Sequence, residues 1–416
     1  MINRLKNQFY RFLRWSERYV KTDMVYLTKG GFWLSAAQFI SSLSSFILSI
    51  AFANLLPAEI LGNYRYILSV VGILSVTNLG GLNTSVTQAV ARGYDGSLKE
   101  ALQTRIKWGT LGALIALIFS LYYYLQGNWP LATAMLIGAI FLPLMDPYGL
   151  YDSYLQGKKR FDLSSRYFSI SSITSALVMI ITLFLTKDLI FIMLAYFLPW
   201  TILRIGFWFW ATRQFKLNDK VDPETISYGW HLSAMGVIGT IALYLDRLVV
   251  FHLFGAIELA VYSIAIAPAE QIKNSLKNLG TLALPKFSEK DPTTVQREIW
   301  QKTFKLVALI GLIVLVYILA APFLFKLFFP KYLAAIAYSQ VYALSIIATA
   351  SILPYTLLQS TSNKKAMYRY NIWASIVQIV GILILGSLFG LWGVVWARVV
   401  TRFVNFGQLY FYSASK

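Results

Sequence analysis

The chain has 416 residues, 57% hydrophobic and 13% charged, with mean hydropathy +0.59 and a net charge of +19. Soluble domains average about 45–50% apolar and about 25% charged, so this much apolar surface cannot all be hidden in a water-soluble core. With no cysteine and only His231 and His252, disulfide, thiolate and histidine-built metal chemistry are excluded, and no cofactor is implied.

In chain order, residues 1–30 are basic and aromatic and lack the apolar core of a secretory signal. Ile2, Leu5, Phe9, Phe12, Leu13 and Val20 recur at helical spacing, with Arg and Lys at most positions between. That pattern predicts an amphipathic helix on a membrane surface; a disordered basic tail is the alternative. Uncharged runs then repeat, each near the ~20 residues that cross a bilayer. Runs such as Leu111–Leu125 are apolar on every side, which favours helices over the alternating strands of a barrel.

Twelve spans are predicted: 31–53, 64–87, 108–126, 130–152, 167–186, 189–210, 229–251, 259–283, 304–325, 333–357, 371–389 and 391–412. An even number puts both termini on one side. Sorted by side of the membrane, 27 basic residues fall on the terminus side and five (Arg65, Lys187, Arg247, Lys326 and Lys331) on the other. Positive charge marks the cytoplasm, so both termini are expected there, in a plasma (inner) membrane. The +19 then reads as contact with anionic membrane lipids, not nucleic acid. No connection is long enough for an aqueous catalytic domain, so an enzyme is not expected.

The two halves echo each other. At an offset of 198, Leu55, Ala58, Leu61 and Tyr64 meet Leu253, Ala256, Leu259 and Tyr262; later, Asn78-Leu79-Gly80 resembles Asn278-Leu279-Gly280. A duplicated six-helix unit follows, a transporter design. Residues 31–210 form the first predicted unit, 211–228 a cytoplasmic linker and 229–416 the second.

Ionisable groups inside spans cost at least ~2.5–3.5 kcal/mol near the bilayer centre and mark candidate sites. Glu270, Lys273 and Lys277 share one helix face, with Glu270 roughly 16 Å deep. Arg398 and Arg402 lie one turn apart in the last span, and Arg204 lies in the inner third of the sixth. Arginine forks match phosphate oxygens, so Arg204, Lys273, Lys277, Arg398 and Arg402 are candidate anion-binding groups. Asp246, Glu270 and Asp146 are candidate ion-coupling carboxylates for H⁺ or Na⁺. Snorkelling of Lys277 and Arg204, mutual neutralisation of Glu270 and Lys273, and an interfacial Asp246–Arg247 pair remain open alternatives.

"LLPAEILGNY" after the first span, "LQGKKRF" after the fourth, "YLDRLVVFHLFGAIELAVYS" across the seventh and eighth and "NLGTLALPKFS" beyond them resemble the polysaccharide (O-antigen type) lipid-linked oligosaccharide flippases. These belong to the multidrug/oligosaccharide-lipid/polysaccharide exporter superfamily. The family pattern has Gly before Pro where this chain has Leu56-Pro57. The resemblance implies an all-α polytopic membrane protein, with two pseudo-symmetric six-helix bundles around a central cavity. It implies transfer of an undecaprenyl-pyrophosphate-linked oligosaccharide to the outer leaflet by alternating access, with polysaccharide polymerases, ligases or glycosyltransferases as partners. A multidrug or cation antiporter of the same superfamily is the rival, whose cavity should favour carboxylates over bases. A membrane polymerase or ligase would need an external loop of some size.

Overall fold

Lipid offers no partner for a bare backbone group, so each span must bond to itself as helix. The structure, a computed structural model, describes residues 24–215, 217–276, 292–360 and 364–414; they form an all-α polytopic membrane protein with no strand among them. The predicted N-terminal surface helix, Lys277 and the Asn278-Leu279-Gly280 echo lie outside the described residues.

The first group of helices is α1 (Met24–Leu55), α2 (Ala58–Leu74), α3 (Leu82–Ala91), α4 (Ser97–Leu125), α5 (Trp129–Tyr148), α6 (Leu150–Gly157), α7 (Phe161–Leu185) and α8 (Leu189–Gln214). The second is α9 (Thr225–Phe254), α10 (Ala256–Leu276), α11 (Pro292–Phe328), α12 (Ala335–Ile347), α13 (Ile352–Ser360) and α14 (Lys364–Ala414). Helix α14 holds both of the last two predicted spans, reversing at Gly390, where φ is 63° and ψ −145°. Glycine is the residue that takes such a positive φ without a Cβ clash.

Three predicted spans are interrupted; the tenth breaks between α12 and α13, through a 3₁₀ turn at Ala348–Ser351. The second breaks between α2 and α3, through a 3₁₀ turn at Ser75–Asn78 and a left-handed Leu79 at φ 51°. The fourth breaks at Gly149, just after Pro147; Pro147 has no N–H to give the turn before it. Hydropathy averages across these breaks, which is why the spans look continuous in the sequence.

Helices α1–α8 pack largely on one another, as do α9–α14, and the two groups meet where α1, α2 and α3 cross α9 and α10. We call the end of the bundle carrying residues 217–224 the linker end and the opposite end distal. At the distal end a Cβ on Gly62 would stand 1.8 Å from the Ala256 carbonyl oxygen, so the starts of α2 and α10 touch backbone to backbone. Tyr66 stacks on Phe251 nearby at 3.8 Å. Asn54 adds a bond to the Phe328 carbonyl (2.8 Å), and Lys331 donates to the Asn54 carbonyl (2.6 Å). At the linker end the Gly81 amide donates to Ser233 Oγ at 2.9 Å. The linker itself is tied to the first group: the Gly96 amide bonds the Lys220 carbonyl at 2.9 Å, and Asp95 accepts from Lys158 Nζ at 2.8 Å and Asn218 Nδ2 at 3.2 Å.

Tyr64 and Tyr262, matched in the sequence echo, are both buried one turn or more into α2 and α10. Lipid-facing positions are apolar and large, among them Phe39, Leu125, Leu185 and Leu319.

Candidate functional site

The break in the second span creates the principal cavity. Where α2 gives way to α3 and α5 to α6, helical backbone stops filling the bundle, and polar side chains line the gap. The cavity holds about 740 Å³ and is walled by Asn78, Asn83, Gln88, Arg105, Asp146, Asp152 and Arg204 among others. Arg204 donates to Asp146 Oδ1 at 2.7 Å and to the Met145 carbonyl at 3.0 Å, and its guanidinium lies 5.2 Å from the Trp200 ring centroid. Asn78 Nδ2 steadies the other carboxylate oxygen at 3.2 Å. Arg105 is buried and donates to two carbonyls, Leu79 at 3.2 Å and Asp146 at 3.3 Å. It thus caps the strained left-handed turn, while its Nε has no partner. The wall thus carries two guanidiniums and two carboxylates, Asp146 and Asp152; Arg204 is paired with Asp146, and Arg105 donates to carbonyls alone.

A second site stands in the other helix group. Glu270 of α10 collects Lys273 Nζ at 2.6 Å, Tyr342 Oη at 2.5 Å and Arg402 Nη2 at 2.7 Å. Arg402 also donates to Ser345 Oγ at 2.6 Å. Lys273 and Arg402 line a cavity of about 300 Å³ with Tyr355, Tyr370 and Asn405. Two cations against one carboxylate leave a positive excess here.

Asp246 and Arg398 form a third cluster of different character. Arg398 Nε and Nη2 both reach Asp246 Oδ2, at 2.9 and 2.6 Å, and Tyr262 Oη donates to the same oxygen at 2.6 Å. The Asp246 and Arg398 side chains are 1% and 6% exposed, so this pair is sealed from any cavity. Asp246 is not paired with Arg247, whose guanidinium lies over Tyr244 at 5.6 Å.

The predicted residues therefore sort into three places. Arg204 and Asp146 share the large cavity; Lys273, Glu270 and Arg402 share the smaller one; Asp246 and Arg398 are locked together. Asp146, Asp246 and Glu270, expected as ion-coupling carboxylates, each hold an arginine.

Four residues that line or face these sites were placed elsewhere by the sequence reading, or passed over. Arg105 was assigned to a cytoplasmic loop, yet α4 starts at Ser97 and carries it two turns into the bundle. Asp152 stands at the end of a predicted span, 130–152. Arg65 and Arg247 count toward the outer face in the sequence, yet both have a buried Nε without a partner. Neither forms an ion pair among the described residues. Wider helix boundaries around residues 58–66 and 97–105 were the only signal available.

The fold is found in solved transporters. A MATE protein bound to MaD5 matches with TM-score 0.64 at 14% identity, covering 93% of this chain and 96% of that one. The MATE multidrug transporter DinF-BH gives 0.63 at 12% identity, covering 92% and 94%. The Vibrio cholerae MATE transporter VcmN gives 0.62 at 14%, covering 94% and 96%. No curated protein matches by sequence. The family model described as "polysaccharide biosynthesis protein" matches residues 27–291, well over half of the sequence, and the chain belongs to that family.

Proposed function

We propose that the protein is a membrane transporter that flips a polyprenyl-pyrophosphate-linked oligosaccharide from the cytoplasmic to the outer leaflet for cell-surface polysaccharide synthesis. The observation that carries this reading is the cavity of about 740 Å³ whose wall presents Arg105 and Arg204 inside an otherwise apolar bundle. Guanidiniums held at such depth are costly unless water or an anion reaches them, and a diphosphate supplies paired oxygens that match their forks. Asn78, Asn83, Gln88 and Trp200 add the amides and the aromatic face on which hydroxyl-rich sugar rings can rest.

The concentration of bases at the linker end makes that end cytoplasmic in this reading. The cavity then faces the side where the substrate is made. The seal at Gly62–Ala256 and Asn54–Phe328 closes the distal side. Arg65, one turn inward of Gly62 on α2, and Arg247, two turns inward of the end of α9, stand between the cavity and this seal as the next cationic station. Residues 31–210 and 229–416 act as the two rocking units, joined by 211–228. Transport requires that the two states differ in affinity for the substrate; no bond is made or broken, so the protein is not an enzyme.

Across the two cavities four bases, Arg105, Arg204, Lys273 and Arg402, stand with three carboxylates, Asp146, Asp152 and Glu270, a balance that disfavours an exporter of organic cations. The test is reconstitution into vesicles carrying a fluorescent polyprenyl-pyrophosphate oligosaccharide in one leaflet. Accelerated exchange of this lipid, with no export of a cationic dye, is the expected result. Dye export without lipid exchange would reverse the assignment.

A further inference from the structure

Of the carboxylates at cavity or core positions, Asp146, Asp246 and Glu270 each hold an arginine. Asp152 holds none. Its Oδ1 accepts from Ser164 Oγ at 2.5 Å and its Oδ2 from Gln156 Nε2 at 2.7 Å, both neutral donors. It stands on the wall between two spaces. One is the arginine-lined cavity of about 740 Å³; the other, of about 240 Å³, runs between α1 and α7 past Ser35, Gln38 and Ser165. Asp152, Gln156 and Phe168 line both.

The groups facing Asp152 from its surroundings are few. From α8 comes Arg204, whose charge reaches Asp152 but whose guanidinium is bonded to Asp146. From α4 comes Arg105, bonded to carbonyls. The α5 contribution is Asp146, already paired. From α3 come Asn83 and Gln88, from α7 Ser164, and from α1 Ser35 and Gln38, all neutral. Tyr151 is its neighbour in the chain. Lys158, one turn on, is held by Asp95.

We propose that Asp152 is a proton-binding site whose occupancy is coupled to binding of a diphosphate anion in the adjoining cavity. This rests on the reading of that cavity as the head-group site. An ionised Asp152 beside the cavity repels an incoming anion, and a protonated one does not. By reciprocity, an anion bound on Arg204 and Arg105 favours the protonated carboxyl. A proton suits the site better than a metal cation. The Gln156 amide nitrogen already occupies Oδ2, and no group of three or more acidic or histidine ligands exists among the described residues.

The test measures binding of inorganic pyrophosphate to the purified full chain in detergent. Titration calorimetry in buffers of different ionisation heat counts the protons taken up. The wild type should take up a proton beyond those belonging to the ligand, and its affinity should fall with rising pH by up to about tenfold per unit more than in Asp152→Asn. Asp152→Asn should bind as tightly as the wild type at low pH, which also shows that it is folded. Ser164→Ala removes a donor to the carboxylate and should move the wild-type pH dependence to higher pH. Equal pH slopes in wild type and Asp152→Asn, an unmoved profile in Ser164→Ala, or an uptake that sodium replaces would each overturn the coupling while leaving the cavity reading intact. Pyrophosphate binding to neither protein would overturn both.

Discussion

Arg398 crosses from α14 to Asp246 on α9 and places two guanidinium nitrogens on one carboxylate oxygen, at 2.9 and 2.6 Å. Its Nη2 also reaches the Leu243 carbonyl at 2.8 Å, so the arginine staples the last helix to the turn that carries the aspartate. Breaking such a buried pair from one side strands a charge and costs about 3–5 kcal/mol, whereas replacing both partners with apolar groups is often close to neutral. Arg398→Leu and Asp246→Leu are therefore expected to lower thermal stability sharply, and the double variant to recover most of it. The melting temperature of the detergent-solubilised proteins checks this. A double variant as unstable as the worse single one would mean that the pair does more than hold α9 to α14.

Glu270 gathers one tyrosine and two cations, and it is the hub of the second cavity. Glu270→Gln should leave Lys273 and Arg402 without a counter-charge. Loss of a charged hydrogen bond costs about 1.5–3 kcal/mol, and mutual repulsion of the two cations adds to it. Adding Arg402→Gln should relieve the repulsion and restore part of the stability. Melting curves at low and high salt separate the two terms, because salt screens the repulsion and not the lost bond.

Gly62 is where a side chain has no room. Gly62→Ala drives a methyl into the Ala256 carbonyl, so the distal ends of α2 and α10 must part. The absence of native cysteine allows spin labels at Glu59→Cys and Ile257→Cys, two exposed positions flanking the contact. The distance between them should lengthen in Gly62→Ala and populate a distally open form. An unchanged distance distribution would show that the seal does not depend on this approach.

Asp95 is buried at the linker end, where it accepts from Lys158 and Asn218. Asp95→Ala leaves these donors unpaired, at about 1–3 kcal/mol. Residues 217–224 should detach from α4 and be cut faster in limited proteolysis. Equal cutting rates would assign the linker's position to its backbone bonds alone.

Much of the membrane architecture was legible in the sequence. Span lengths and apolar faces follow from what lipid demands of a helix, and the reversal at Gly390 falls between the last two predicted spans. Glu270 and Lys273 were readable as neighbours, because three residues apart on a helix is a local relation. Asp246 with Arg398, Arg204 with Asp146 and Arg402 with Glu270 were not, because partners 152, 58 and 132 residues apart are joined only by packing. Arg65 and Arg105 were missed for another reason. Hydropathy starts these spans at residues 64 and 108, which leaves Arg65 at an edge and Arg105 outside, whereas the helices begin at Ala58 and Ser97. The break at Asn78–Gly81, which opens the cavity, carries no proline to announce it.

The most direct test of the central claim compares leaflet exchange of a fluorescent polyprenyl-pyrophosphate oligosaccharide by wild type, Arg204→Ala and Arg204→Lys in vesicles at matched protein density. A charged hydrogen bond of about 1.5–3 kcal/mol corresponds to roughly ten- to a hundredfold in rate. The account predicts a loss of that size in Arg204→Ala and partial recovery in Arg204→Lys, which keeps the charge but not the fork. Wild-type exchange by a correctly inserted Arg204→Ala protein would contradict it.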